Sequence, residues 1–213
     1  MILKQQAKKI GEALEKVYPL AQCELDYIKP YELLIATRLS AQCTDKRVNI
    51  VTKDLFAKYT TLKSFAEAAP VDVEKIIRPC GLGKTKSKDI VNMSVMLTEK
   101  YDGVLPNTVE ELIKLPGVGR KTANLIVGDI YKKPAIVCDT HVIRICGLLG
   151  LTNSKNPLVV ENELRKILEP KTSNDFCHRI VLHGRAVCIA RKPKCDECVI
   201  NMFCNYYKDV YKI

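Results

Sequence analysis

The chain has 213 residues, with 34 Lys and Arg against 24 Asp and Glu for a formal net charge of +10, and is 47% hydrophobic and 27% charged. Those proportions fit a globular protein of one large or two small domains with a buried core, and the positive excess favours a polyanionic partner, nucleic acid or an anionic membrane surface. Aromatics at 6% and the absence of Trp argue against a stacked-aromatic surface for reading single-stranded bases, and the absence of any run near eighteen apolar residues argues against a membrane span.

In chain order, the opening MILKQQAKKIGEALEKVYPL interleaves charge where a signal peptide needs an unbroken apolar stretch. A cytosolic or similarly reducing compartment is therefore expected. Within it, Ala7, Ile10, Leu14 and Val17 recur at spacings of three and four among Lys, Glu and Gln, the period of an amphipathic helix over 4–18. Similar stripes predict helices over 31–41, 45–58, 87–100, 118–130, 140–150, 157–168 and 174–188. Breaks are expected at Pro30, Pro70, Gly81-Leu82-Gly83, Leu105-Pro106-Asn107, Leu115-Pro116-Gly117, Lys133-Pro134 and Asn156-Pro157. Nothing alternates convincingly with period two, and residues 135–138 are too short to classify. The predicted class is all-α with short connections, and any domain boundary is a packing boundary, since no long linker or repeat is present.

The run 75–88 carries Arg78, Lys84, Lys86 and Lys88 and no acid. Gly83-Lys84-Thr85 imitates the end of a phosphate-binding P-loop, but the earlier glycine of that motif falls on Arg78. The run therefore reads as a solvated basic loop.

Residues 107–130 read as helix, hairpin, helix. Asn107 or Thr108 is the N-cap and Glu110 or Glu111 complements the first turn. The helix stops at Leu115-Pro116-Gly117-Val118-Gly119, where Pro116 disfavours helix before it and two glycines permit positive φ or close backbone approach. Such a hairpin aims free N–H groups outward at the positive end of the next helix, an anion site that a DNA phosphate fits at Gly117, Val118 and Gly119. An ordinary tight connection between core helices has nearly the same signature. Lys121, one turn into that helix, would normally face solvent. The helix dipole, with partial desolvation, favours its neutral, nucleophilic amine. Asp139 precedes an apolar-periodic run and makes a good N-cap.

Of the ten cysteines, Cys23, Cys43, Cys80, Cys138, Cys146 and Cys177 are scattered singly and read as reduced core residues. Cys188, Cys195, Cys198 and Cys204 lie within seventeen residues as C-x6-C-x2-C-x5-C and ask for a metal. Both tetrahedral zinc and a 4Fe-4S cluster take four thiolates, although zinc sites usually supply two paired C-x2-C or C-x4-C units and this stretch has one. Between the first two ligands, Arg191, Lys192 and Lys194 could face phosphates on a loop anchored at both ends.

The stretch LPGVGRKTAN at 115–124 resembles the helix-hairpin-helix motif of the endonuclease III family of DNA glycosylases, and the cysteine spacing is similar to that family's cluster pattern. The resemblance runs through nearly the whole chain, including LHGRAVCIARKPKC at 182–195 and Asp139-Thr140-His141, which look like the family's V-D-T-H with Cys138 before them. It implies two helical domains with a cleft between them: a six-helix barrel carrying the hairpin over 22–134, and a 4Fe-4S cluster domain from 1–21 and 135–213. Lys121 and Asp139 would meet at the cleft mouth, and Cys188, Cys195, Cys198 and Cys204 would ligate the cluster. Lys121 would attack the sugar C1′, expel a damaged base and form a Schiff base. Asp139 would stabilise oxocarbenium character and help move protons, and His141 would line the DNA face. LSAQCTDKRVN at 39–49 and GLGKTKSKDI at 81–90 resemble the family's two insertion loops, giving Gln42 as the plug for the vacated base and Leu82 as the wedge.

The implied function is a bifunctional DNA glycosylase/AP lyase that excises oxidised pyrimidines and cleaves the 3′ side of the abasic site by β-elimination. Its partner would be double-stranded DNA with a damaged base or abasic site, with no membrane, and it would act as a monomer. A monofunctional mismatch glycosylase for adenine or thymine is a second reading; Lys121, and no extra recognition domain after Cys204, speak against the adenine enzyme. A non-catalytic helix-hairpin-helix module with structural zinc is a third. Cys43 and Cys138 stand where small or apolar residues are commoner in the family, and Ile113 stands where a Glu can occur, which affects a polar channel toward the active site.

Overall fold

The computed structural model describes residues 2–212, and every regular element among them is helical. In chain order these are α1 (Ile2–Val17), α2 (Pro30–Leu39), α3 (Asp45–Lys58), α4 (Leu62–Ala66), α5 (Pro70–Ile77), α6 (Gly83–Lys100), α7 (Val109–Leu112), α8 (Arg120–Asp129), α9 (Thr140–Leu148), α10 (Pro157–Ile167), α11 (Ser173–Ala186) and α12 (Asn205–Tyr211). No helix is long and apolar enough to cross a membrane among the described residues.

Residues Glu24–Tyr131, holding α2 to α8, form one compact unit. Its core is aliphatic around a single aromatic group: Phe65 is fully buried, with the Tyr59 ring centroid 5.0 Å away and Tyr31 and Phe56 edge-on at 6.4 and 6.3 Å. Burying a side chain of that size contributes roughly 1.5–3 kcal/mol. The fully buried Leu33, Leu34, Ile35 and Leu39 of α2 leave that helix without a wet face, and it packs on α3, α6 and α8.

Residues up to Cys23 and those from Lys132 onward form the second unit. α1 buries Ala7, Ile10 and Leu14 as its stripe requires, whereas Val17 is exposed because the helix ends there. The two distant stretches of chain are joined by polar ties as well as packing. Arg179 Nη2 meets Glu15 Oε1 at 2.7 Å, and Gln6 Nε2 donates to the carbonyls of Leu149 and Phe203 at 3.0 and 2.9 Å. Residues 135–138, too short to classify by pattern, are a buried segment without regular structure leading into α9.

The expected breaks at Pro30, Pro70 and Asn156-Pro157 are helix boundaries: each proline sits at the first helical position, where its missing N–H costs nothing and its fixed φ suits the helix. Two sequence expectations are corrected. The basic run at 78–88 is not a loop: Arg78 opens a 3-10 turn at Arg78–Cys80, and Lys84, Lys86 and Lys88 lie in the first turns of α6, with Lys86 completely buried. The second helix of the hairpin starts at Arg120 and not at Val118, because Gly119 is its N-cap. Of the scattered cysteines, Cys80, Cys138, Cys146 and Cys177 are buried, while Cys23 and Cys43 are half-buried.

Candidate functional site

Of the two N-caps offered for α7, Thr108 serves: its Oγ1 accepts from the Glu111 N–H at 3.3 Å. Leu115 then buries its side chain and its carbonyl accepts from the Val118 N–H at 3.1 Å, closing the hairpin. Gly117 has φ +74°, and a Cβ there would stand 2.7 Å from Arg38 Nε and 2.8 Å from Asp89 Cβ. These two side chains, from α2 and α6, form an ion pair: Arg38 Nε and Nη2 lie 2.8 and 2.7 Å from Asp89 Oδ2, with only 15% and 22% of the side chains exposed. Only glycine lets the hairpin apex lie against that pair. Gly119 differs, with φ −93° and nothing within 4 Å of a Cβ, so the entry to α8 is sterically open and no side chain caps it. Val118 turns its side chain inward, 8% exposed; this residue has only backbone to offer a phosphate.

Lys121 is the second residue of α8 and is exposed, ahead of the buried stretch from Ala123 to Asp129. The expected desolvation by the protein's own packing is therefore absent, and exclusion of water from this amine falls to whatever covers it.

Gln42 and Leu82 are both exposed, and both adopt left-handed backbone, φ +58° and +52°. Non-glycine residues pay a steric penalty there, and each stands at a sharp corner: Gln42 between α2 and α3, Leu82 immediately before α6.

In the other unit Asp139 is the N-cap of α9, its Oδ1 accepting from the Val142 N–H at 2.8 Å, and the carboxylate stays half-exposed. His141 is half-buried against α11, where a Cβ on Gly184 would come within 2.5 Å of its Nδ1.

Cys188, Cys195, Cys198 and Cys204 line one small cavity together with Leu148, Pro193 and Tyr206. Among the described residues no three His, Cys, Asp or Glu side chains are arranged to hold a single metal ion. One zinc, with Zn–S bonds of about 2.3 Å, would draw its sulfurs to roughly 3.8 Å from one another; four thiols spread round a cavity suit a polyatomic cluster instead. Burial first, and then the neighbouring thiols, push the Cys198 thiol up to about 11 and raise that of Cys195 also. Holding all four as thiolates therefore needs the positive charge of the iron. Arg144 of α9 supports the first ligand, donating from Nη2 to the Cys188 carbonyl at 2.6 Å and from Nη1 to its sulfur at 3.5 Å. His183 Nε2 lies 3.4 Å from Cys198 Sγ, and burial, aided by Arg144, pushes its imidazole down to about 4, so it is neutral. Arg191, Lys192 and Lys194 are exposed on the loop that this framework holds, with Lys194 in a loose 3.7 Å pair with Glu197.

Arg38, Asp89, Arg144, His183 and Gly184 were not singled out by the sequence. The only local trace is Arg38 in an otherwise apolar helical stripe.

The model of the helix-hairpin-helix superfamily of base excision DNA repair proteins matches residues 35–170, and that of the iron-sulfur binding domain of endonuclease III matches residues 188–204. This chain belongs to the endonuclease III family. It is 42% identical over 203 residues to endonuclease III of Rickettsia conorii, covering 95% of this chain and 97% of that one. It is 43% identical over 202 residues to endonuclease III of Synechocystis, covering 94% and 92%. A solved structure of an endonuclease III trapped as a covalent intermediate with DNA superimposes with a TM-score of 0.91 at 41% identity, covering 98% of both chains. A thermostable thymine-DNA glycosylase, at TM-score 0.85 and 20% identity, shares the fold. The chain is thus a bifunctional DNA glycosylase/AP lyase of base excision repair carrying a 4Fe-4S cluster, which sets aside the zinc-bearing, non-catalytic reading.

Proposed function

We propose that Lys121 is the nucleophile and Asp139 its carboxylate partner, acting on oxidised pyrimidines in duplex DNA. The neutral Lys121 amine attacks C1′; the N-glycosidic bond breaks, and the base leaves with that electron pair and takes up a proton. The amine then loses its proton, the C1′–O4′ bond of the sugar ring breaks with O4′ keeping the electron pair and taking up a proton, and C1′ becomes the carbon of a protonated imine. Removal of a C2′ proton drives β-elimination, the C3′–O bond breaks on the 3′ side of the lesion, and water releases Lys121. Asp139 offsets positive charge developing at the sugar and relays protons. When bound, the 4Fe-4S cluster fixes the 188–204 loop, so that Arg191, Lys192 and Lys194 meet the backbone phosphates. The backbone of Gly117, Val118 and Gly119 takes a phosphate at the start of α8, Gln42 and Leu82 enter the duplex where the base leaves, and His141 lines the DNA face. The barrel domain is the 24–131 unit and the cluster domain the remainder; the enzyme works as a monomer in the cytoplasm.

The observation that carries this reading is the placement of Lys121: an exposed amine two residues beyond an uncapped, sterically open helix start. Borohydride reduction of an imine on a duplex with one oxidised pyrimidine tests it. Wild type is expected to give a covalent protein-DNA adduct and Lys121→Ala none; an adduct of undiminished yield from Lys121→Ala overturns the assignment. The same assay on adenine and thymine mispairs, expected to give no base release, separates the monofunctional reading.

A further inference from the structure

Lys86, on the second turn of α6, has no exposed surface. Its ammonium donates to three main-chain carbonyls, those of Leu39 at 2.7 Å, Ala41 at 2.7 Å and Cys80 at 2.8 Å. Three N–H donors meet three acceptors, which saturates the group without a carboxylate. A buried cation satisfied by peptide dipoles is an expensive way to fill a core, and an apolar side chain would occupy the same volume but orphan three carbonyls. Burial disfavours the charge, while the nearby Cys80 and Cys43 thiols favour it.

The acceptors are distributed in an informative way. Leu39 ends α2 and Ala41 immediately precedes Gln42, whereas Cys80 ends the 3-10 turn two residues before Leu82. One ammonium therefore clamps both corners whose tips are the left-handed Gln42 and Leu82. The two corners are about forty residues apart in sequence, and the Cys43 and Cys80 thiols beside them share a hydrogen bond that adds to the clamp. We propose that Lys86 is a positioning residue that holds the Gln42 and Leu82 corners in fixed register, so that plug and wedge enter the duplex as one unit. This rests on the assignment of Gln42 and Leu82 as the inserting residues. Unclamped corners would have to be ordered during base extrusion, slowing that step and leaving the chemistry at C1′ untouched.

The test separates extrusion from chemistry. Fluorescence of 2-aminopurine opposite the lesion reports unstacking, single-turnover excision from duplex reports the whole path, and cleavage of a single-stranded abasic oligonucleotide reports Lys121 chemistry without extrusion. Wild type, Lys86→Met, Gln42→Ala and Leu82→Ala are compared, with thermal melting and iron content as checks on folding. For folded Lys86→Met we expect duplex excision to fall on the order of ten- to a hundred-fold with loss of the fluorescence rise, and single-strand cleavage to stay within about two-fold. If Lys86→Met does not fold, Lys86→Gln, with two N–H donors and no charge, takes its place. Wild-type fluorescence in the folded Lys86 variant, with Gln42→Ala and Leu82→Ala impaired, overturns the inference but keeps the insertion assignment. Normal extrusion by Gln42→Ala and Leu82→Ala overturns both. Equal losses on duplex and single strand reduce Lys86 to a core residue and overturn the inference.

Discussion

Asp139 caps α9 and is proposed to serve the sugar chemistry with the same carboxylate, and the two roles can be separated. Its Oδ1 caps α9 through the Val142 N–H, a role asparagine fills equally well, whereas alanine loses about 1 kcal/mol. Asp139→Asn is therefore expected to melt as wild type does and yet excise damaged bases slowly, because the amide carries no negative charge for the sugar. Asp139→Ala loses both properties. A fully active Asp139→Asn in single-turnover excision would leave the residue as a cap alone. At Lys121 the sequence located the residue but not its surroundings. Its exposure goes with its place in the first turn of α8, ahead of the stretch from Ala123 to Asp129 that packs inward on every side. The dipole at the start of α8 acts on the amine at all times; in the proposed complex, covering DNA would exclude the water.

The hairpin between α7 and α8 contains two glycines with different physical reasons for being there. Gly117→Ala is expected to destabilise by about 2 kcal/mol or more, combining a left-handed backbone with a clash into the Arg38–Asp89 pair. Gly119→Ala meets no atom and has ordinary φ, so chemical denaturation should show a loss under about 1 kcal/mol. Its DNA affinity should fall all the same, because the added methyl stands where a phosphate approaches. Equal stability losses at the two positions would contradict this account. The L-P-G-V-G string was readable as a hairpin in the sequence, but Gly117 and Gly119 looked interchangeable there; the difference is made by Arg38 and Asp89, 51 residues apart. The prolines were legible as boundaries: proline cannot continue a helix, and the same missing N–H makes Pro30, Pro70 and Pro157 suitable at the start of one.

Over the whole molecule, a net charge of +10 makes DNA affinity steeply dependent on salt. If Arg191 and Lys192 each neutralise a phosphate, the double alanine variant should flatten the plot of log K against log salt by about 1.8, measured by fluorescence anisotropy. An unchanged slope would place these cations away from DNA. The loop that carries them has little apolar burial of its own, Ile200 being its one fully buried side chain. Stripping iron should therefore speed tryptic cleavage at Arg191 and Lys194 while leaving Glu24–Tyr131 no more susceptible; equal acceleration in both regions would mean that the cluster stabilises more than its loop.

What the sequence determined by itself was written within a few residues: helical periods, the Asp139 cap, the hairpin and the four-cysteine spacing. These depend on contacts between i and i+3 or i+4 and on ligand spacing along one short loop, so the chain carries them in order. Only the tertiary structure decided that Lys86, in a basic run, is buried among three carbonyls, two of them 45 and 47 residues away, that Gly117 rests on Arg38 and Asp89, and that Arg144, 44 residues from Cys188, braces it. A charged residue has the same local pattern whether solvated or buried. Its fate is set by which distant backbone dipoles and side chains the packed helices bring to it, and that information exists only once the core has formed.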